Sequence, residues 1–314
     1  MRGRAALAGA LAAVATAAVL PAQASAVSAP SACGQAVHAR PVIRHVIIIV
    51  MENHSSSQVI GRAPFMTALA KRCGLASNYH AIRHPSLPNY LAMTSGSTHG
   101  ITSDCQPFQC PVRGPNLFSQ ATRHGLRWRS YAESMPSPCY RGTRGLYAAR
   151  HVPAVYYRRI RACGRHVRSL GRLQSGRLHF ALHSGHAPAL MFVTPNLCND
   201  AHDCSLAHGD TWLSRWIPMI VKSPTYRHGH TAVLLTFDEG GGGGKNIVPL
   251  IVLSRYTPVH AVRHRLLSHY SLLRHREDAR NQAVPWEGPR CSRPSQGIPP
   301  VGEQARPASP VSSA

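Results

Sequence analysis

Two apolar stretches of this chain end in the same way. VIIIVM (46–51) is an unbroken β-branched and aliphatic run that stops at Glu52-Asn53-His54, and AVLLTF (232–237) stops at Asp238-Glu239 ahead of five glycines. Such runs, too short for buried helices and without polar alternation, are what strands look like when both faces of a parallel sheet are covered. ALMFVT (189–194), which leads through Pro195-Asn196 into CNDAHD, and IVPLIVLS (247–254) repeat the pattern. Helix-like segments lie between them: APFMTALAKR (63–72), LPNYLAMTS (87–95) and the stretch around 211–222. The alternation predicts an α/β fold, a mainly parallel central sheet flanked by helices on both faces.

Acid is scarce, with 12 Asp plus Glu against 35 Lys plus Arg. Yet Glu52, Asp200, Asp203, Asp210, Asp238 and Glu239 fall in three short segments. Open α/β sheets bind ligands beyond the carboxyl ends of their strands. Glu52, Asp200, Asp203, Asp238 and Glu239 are therefore expected to converge on one sheet edge. Carboxylates together with an asparagine, Asn53, suit a hard or borderline divalent cation bound through oxygen: Mg, Ca, Mn or Zn. Any one of these acids alone reads as a solvated loop residue or a helix cap; the set points to a metal.

HPSLPNYLAMTSG (84–96) places a serine at the start of a helical run. A helix beginning near Ser86 aims unpaired N–H groups and the positive end of its dipole at whatever the hydroxyl touches, which favours an oxyanion. Pro88 costs little in the first turn, and Asn89, one turn on, can offer its amide to the same anion. A metal at the strand ends would make Ser86 a ligand and a candidate nucleophile. Taken alone, Ser86 is equally an N-cap. Among 20 histidines, three stand where they matter: His84 beside Ser86, His202 within NDAHD, and His269 in LLSHYSLLR. The acid–imidazole spacing of NDAHD suits ligation and proton transfer.

The N-terminus reads as an address. Arg2 and Arg4 precede an apolar stretch and an A-x-A site at Ala22/Ala24 or Ala24/Ala26, so residues 1–26 are expected to be a secretory signal peptide. An exported chain with nine cysteines favours disulfides. The near pairs are Cys105/Cys110, Cys139/Cys163 and Cys198/Cys204; Cys33 and Cys73 can pair across the first helix, leaving Cys291. A net charge of +23 suggests an anionic partner. But only Lys71, Lys222 and Lys245 are lysines, and the arginines are spread along the chain. Compositional bias therefore accounts for most of the charge, and no basic run is interleaved with aromatics as a single-strand groove would be. No specific nucleic-acid partner is expected; an acidic membrane surface is a candidate peripheral contact. The glycine tract (240–244) reads as a loop whose glycines supply mobility, close backbone approach being the alternative. Residues 284–314, rich in Pro, Ser and Arg, read as a disordered tail after a single catalytic domain, 27–283.

RHVIIIVMENHS, HPSLPNYLAMTSG, YAESMP (131–136), TPNLCNDAHDCSLAHGDTWL (194–213), LLTFDEG and SHYSLLRHRED (268–278) resemble, in order, the bacterial phosphoesterase family that holds secreted acid phosphatases and phospholipase C enzymes. That family is a branch of the alkaline phosphatase superfamily. The resemblance implies a metal held by Glu52, Asn53, Asp238 and Glu239, with Ser86 at the nucleophile position and Asn89 on a phosphoryl oxygen. It makes Asp200 and His202 further site residues. The chain departs from the family after Asp278, where ARNQAVPWEGPRCSRPSQ replaces a short helix and a G-L-P-like turn, and in its glycine tract. It is too short for the extra C-terminal domains of the larger phospholipases, which favours the acid phosphatase branch, some of whose members resemble phosphoinositide phosphatases.

The expected activity is a secreted, metal-dependent acid phosphatase acting on phosphomonoesters through a phosphoserine. Its partner is a phosphorylated small-molecule or lipid substrate. The alternatives are a phospholipase C-type phosphodiesterase on the same site and, in another class, a cationic binding protein without catalysis. A sulfatase is disfavoured because Ser86 lacks the C/S-x-P-x-R context that branch uses.

Overall fold

The computed structural model describes residues 32–36, 39, 42–242 and 244–273. The leader (1–26), the tail (284–314), Cys291 and the departure after Asp278 lie outside the described residues. Nine strands form one sheet: β1 His45–Met51, β2 Gly74–His80, β3 Trp128–Ala132, β4 Val167–Ser169, β5 Leu190–Thr194, β6 Thr231–Phe237, β7 Ile247–Ser254, β8 Ala261–Arg263 and β9 Leu267–Ser268. The order is β4-β3-β5-β1-β6-β7-β2-β8, with β9 also on β2. Every pairing is parallel except the two made by β7. The mainly parallel α/β sheet expected from the apolar runs is therefore present. The three strands that carry acids, β5, β1 and β6, are immediate neighbours with β1 in the middle.

Pro249 sits inside β7, where a proline lacks the N–H that a central strand needs. The structure accommodates it with a register shift in β2 between Ala76 and Tyr79, whose partners are Leu250 and Val248 on either side of the proline. The extra residue of such a bulge removes the demand for a ladder bond there. Because β2 runs parallel to β1 and β6, its carboxyl end reaches the same sheet edge and feeds the segment containing Ser86.

Side chains alternate along β1. Ile47, Ile49 and Met51 join one core with Met66 and Leu69 of the helix Pro64–Arg72 and with Leu213, Ile217 and Ile220 of the helix Leu206–Lys222. Ile48 and Val50 join the opposite core with Leu87, Tyr90 and Leu91 of the helix Ser86–Ser95. Helices thus cover both faces. Burying a large aliphatic side chain stabilises by roughly 1.5–3 kcal/mol, and nearly the whole of β1 is buried. Where the long helix crosses the end of β1, Gly209 permits contact: a Cβ there would lie 2.9 Å from Met51 Cε and 3.2 Å from Ala201 Cβ. Cys33–Cys73, Cys105–Cys110, Cys139–Cys163 and Cys198–Cys204 are bonded, the pairs expected from their spacing. Among the described residues no helix is long and apolar enough to cross a membrane.

Candidate active site

The acids meet because the backbone brings them together. At the end of β1 the Glu52 N–H donates to the Asp200 carbonyl at 2.8 Å, and at the end of β6 the Asp238 N–H donates to the Met51 carbonyl at 2.9 Å. Glu52, Asp200 and Asp238 are all fully buried. Asp238 Oδ1 accepts the Asn53 N–H at 3.1 Å, with Asn53 at φ 59, a left-handed conformation that asparagine tolerates better than most residues. The Asp200 segment is clasped by Cys198–Cys204.

Ser86 is buried at the first position of its helix. Its hydroxyl donates to Glu52 Oε2 at 3.0 Å, and Tyr90, one turn along, donates to Glu52 Oε1. Asn89 holds the approach to the helix: Oδ1 accepts from the Ile82 and Arg83 N–H groups at 2.8 and 3.2 Å, while Nδ2 donates to the carbonyls of Arg83 and Pro85 at 2.7 and 3.3 Å. Nδ2 also reaches Glu239 Oε2 at 3.1 Å. One helix N–H expected to face an anion is already engaged, since Leu87 donates to Asp104 Oδ1 at 2.9 Å. Asp104 Oδ2 in turn lies 3.4 Å from Arg150 Nε.

Sequence reasoning missed His151. It lies fully buried between two acids, Nε2 3.4 Å from Glu52 Oε2 and Nδ1 3.2 Å from Asp200 Oδ2, and stacks on Tyr90. Nothing in YAARHVPAVYY marks it out, because both of its acids come from distant segments. His202 sits beside it, with Nδ1 2.6 Å from Asp203 Oδ1 and Nε2 3.0 Å from Arg150 Nη2. Since Arg150 can only donate, His202 Nε2 accepts and Nδ1 carries the proton to Asp203. His84 is half-exposed, with Nδ1 3.0 Å from Glu239 Oε1. His269 bridges the Tyr79 hydroxyl, at 2.8 Å, and the backbone carbonyl of Asp238. In the glycine tract the observed feature is close approach: a Cβ on Gly241 would lie 2.8 Å from the Gln58 amide and 2.9 Å from the Asn53 carbonyl.

Burial pushes four of these carboxyls up, Glu52, Asp200, Asp238 and Glu239. Glu52 is held well above its ordinary range by desolvation, with Asp238 and Asp200 adding to it; desolvation also raises Asp238. Asp200 rises to about 8 and Glu239 to about 9, burial again leading in both. His151 is driven well below its ordinary value by burial, and Arg150 and His202 push it the same way. A divalent cation among these groups reverses each carboxyl shift. Two buried atoms await such a partner: Asp238 Oδ2 and His151 Nε2 have none within hydrogen-bond geometry. Glu52, His151 and Asp200 present ligand atoms close enough for one ion, so the residues present fit a metal.

The phosphoesterase family pattern matches residues 62–279. The chain belongs to the phosphoesterase family. It is accordingly a phosphoric ester hydrolase. A phosphatidylinositol-3-phosphatase of Mycobacterium tuberculosis is 33% identical to this phosphoesterase over 259 residues, 80% of this chain and 81% of that protein. A phosphate-repressible acid phosphatase of Penicillium chrysogenum is 32% identical over 184 residues, 56% of this chain and 43% of the fungal protein, so the chain spans less than half of that relative. Among solved structures, a protein in the alkaline phosphatase superfamily from Vibrio parahaemolyticus superposes with a TM-score of 0.54 at 10% identity, covering 74% of this chain and 65% of that one. The lipoteichoic acid synthase LtaP from Listeria monocytogenes gives a TM-score of 0.51 at 8% identity over 73% and 70% of the two chains. These likenesses show the fold.

Proposed function

We propose that this phosphoesterase is an exported, metal-dependent phosphomonoesterase that works through a phosphoserine on Ser86. The observation that carries the proposal is the Ser86 hydroxyl, buried at a helix start and 3.0 Å from Glu52 Oε2 inside the acid cluster. Glu52, Asn53, Asp238, Glu239 and Ser86 would hold the divalent ion, with His151 and Asp200 beside them. When bound, the ion supplies Lewis acidity toward a phosphoryl oxygen and lowers the pKa of the serine hydroxyl.

The chain's own groups do the rest. Ser86 Oγ attacks phosphorus in line; the Oγ–P bond forms as the P–O bond to the alcohol breaks, and the serine proton passes toward Glu52 Oε2. The Arg150 guanidinium, and Asn89 Nδ2 once it leaves Glu239 Oε2, are the donors for the phosphoryl oxygens, where charge builds up. As Arg150 turns to the phosphate it frees His202 Nε2. With Nε2 free, His202 relays a proton from solvent to the departing alcohol while its Nδ1–H stays on Asp203. Water then attacks phosphorus as it gives a proton to His202 Nε2, the P–Oγ bond breaks, and Ser86 takes back its proton from Glu52 as phosphate leaves.

The names of the relatives support phosphomonoesters as substrates and phosphoinositides among them. The expected leader and four disulfides support export. Ser86→Ala should lower the rate on p-nitrophenyl phosphate by at least about a thousandfold with an unchanged circular dichroism spectrum. Acid-quenched wild-type enzyme should carry phosphate on Ser86 by mass spectrometry. A variant that keeps near-normal turnover overturns the covalent scheme.

A further inference from the structure

Beside the acid cluster lies a cavity of about 770 Å³, walled by the turn after β1 and the segment after β6 and lined also by His84. His84 and Gly240 join it to the site, since His84 pairs with Glu239 and Gly240 follows that residue in the chain. Through His84 the cavity lies next to Ser86 along the chain, and through Gly240 next to Glu239. Its size falls in the range of small-molecule sites, roughly 300–1,000 Å³.

The lining differs from that of an ordinary small-molecule pocket. Among the described residues, no aromatic side chain except the His84 imidazole contributes, and only Ile60 and Ile247 are aliphatic. Ser55, Ser57, Gln58 and Asn246 provide hydroxyls and amides, and Lys245 provides a positive charge. Several of these groups are already oriented. Gln58 Oε1 accepts from the Ser55 N–H at 2.8 Å and from its hydroxyl at 2.9 Å, and Asn246 Oδ1 accepts the Gly240 N–H at 2.7 Å. The remaining capacity of both amides is their N–H donors. Gly241, pressed on Gln58, fixes the distance between the two walls.

We infer that this cavity is a subsite for a polyhydroxylated alcohol that carries a second anionic group, whose charge Lys245 meets. The inference rests on the phosphatase reading of Ser86 and says where on this chain the alcohol side of the substrate is held and which charge selects it. A nucleobase or aryl group finds no stacking partner beyond one imidazole, whereas a ring of hydroxyls finds matching donors and acceptors. A phosphoinositide headgroup and a free polyol bisphosphate share this chemistry.

The test is a series on the purified mature enzyme: cyclohexyl phosphate, inositol 3-phosphate, inositol 1,3-bisphosphate and dioctanoyl phosphatidylinositol 3-phosphate. The expected kcat/KM rises along the first three. Lys245→Gln lowers it by roughly tenfold or more for inositol 1,3-bisphosphate, as loss of a hydrogen bond to a charged group does. The same variant leaves cyclohexyl phosphate unchanged, and Lys245→Arg restores most of the loss. An equal loss on the lipid assigns the lipid headgroup to the same subsite; a loss on the bisphosphate alone assigns the free polyol. A flat series, an equal loss on all substrates, or a loss on the lipid alone overturns the subsite. Failure of the wild type to hydrolyse even p-nitrophenyl phosphate would instead remove the reading beneath it.

Discussion

The floor of the site and its rim are built in different ways. Glu52, Asp200, Asp238 and His151 are wholly buried, and the strand ends that carry the acids are tied backbone to backbone. His84, His202 and Asp203 are partly exposed, with side-chain exposures of 47%, 27% and 46%, and depend on side-chain pairs for their orientation. A buried charge cluster can be held only by a rigid scaffold and a counter-ion. Partly exposed pairs are worth little to stability and are free to exchange partners as substrate enters. On the proposed reading, the floor supplies the fixed electrostatics and takes the serine proton, while protonation of the leaving alcohol falls to the rim.

Three measurements would break or sharpen that contrast. The largest effect is expected on the floor: Asp238→Asn should cost about a thousandfold or more in rate, as removal of a charged group from such a centre does. The same variant should fail to retain a divalent metal through dialysis, read by elemental analysis. A loaded, active Asp238→Asn enzyme would show that the floor does not hold the ion.

On the rim, His202→Ala should lower turnover by about a hundredfold for an alkyl phosphate, within the usual range for a general acid. For p-nitrophenyl phosphate, whose leaving group needs no proton, the loss should stay below about tenfold. Equal losses on both substrates would move His202 from proton donor to positioning residue.

The smallest effect concerns stability beneath the floor. Burial lowers His269 from 6.5 to about 4, so between those values the unfolded chain binds more protons than the folded one. Its contribution is therefore fully present above pH 6.5 and is lost as pH falls toward 4. Urea unfolding of the wild type should lose about 2 kcal/mol between pH 7 and pH 5 through this group. His269→Gln should show a shallower fall, and an identical pH slope in the variant would rule out the assignment.

The floor acids were legible because an apolar run tells the reader where a parallel strand stops, and its next residue must lie at the sheet edge. Glu52 and Asp238 follow from that rule and from the adjacency of β1 and β6; Asp200, further beyond the end of β5, is brought in by the Glu52 N–H on its carbonyl. β2 was not legible: GLASNYH has no apolar run, and its Ser77-Asn78 pair falls in the bulge opposite Pro249. His151, Arg150 and Asp104 were hidden for a different reason. Their partners are set by how the 140s loop folds over the end of the sheet, and no local pattern encodes that. Tyr90 reads as one more apolar helix residue until its hydroxyl is seen on Glu52.

The bond between Cys198 and Cys204 closes a small ring around the residues that deliver Asp200 and His202. Such a ring forms only where thiols are oxidised. A copy of this chain made in a reducing cytoplasm would therefore keep its strands and most of its core while the acid loop lost its fastening. The loop's hold on the cluster would then rest on its hydrogen bonds, among them that of the Glu52 N–H to the Asp200 carbonyl.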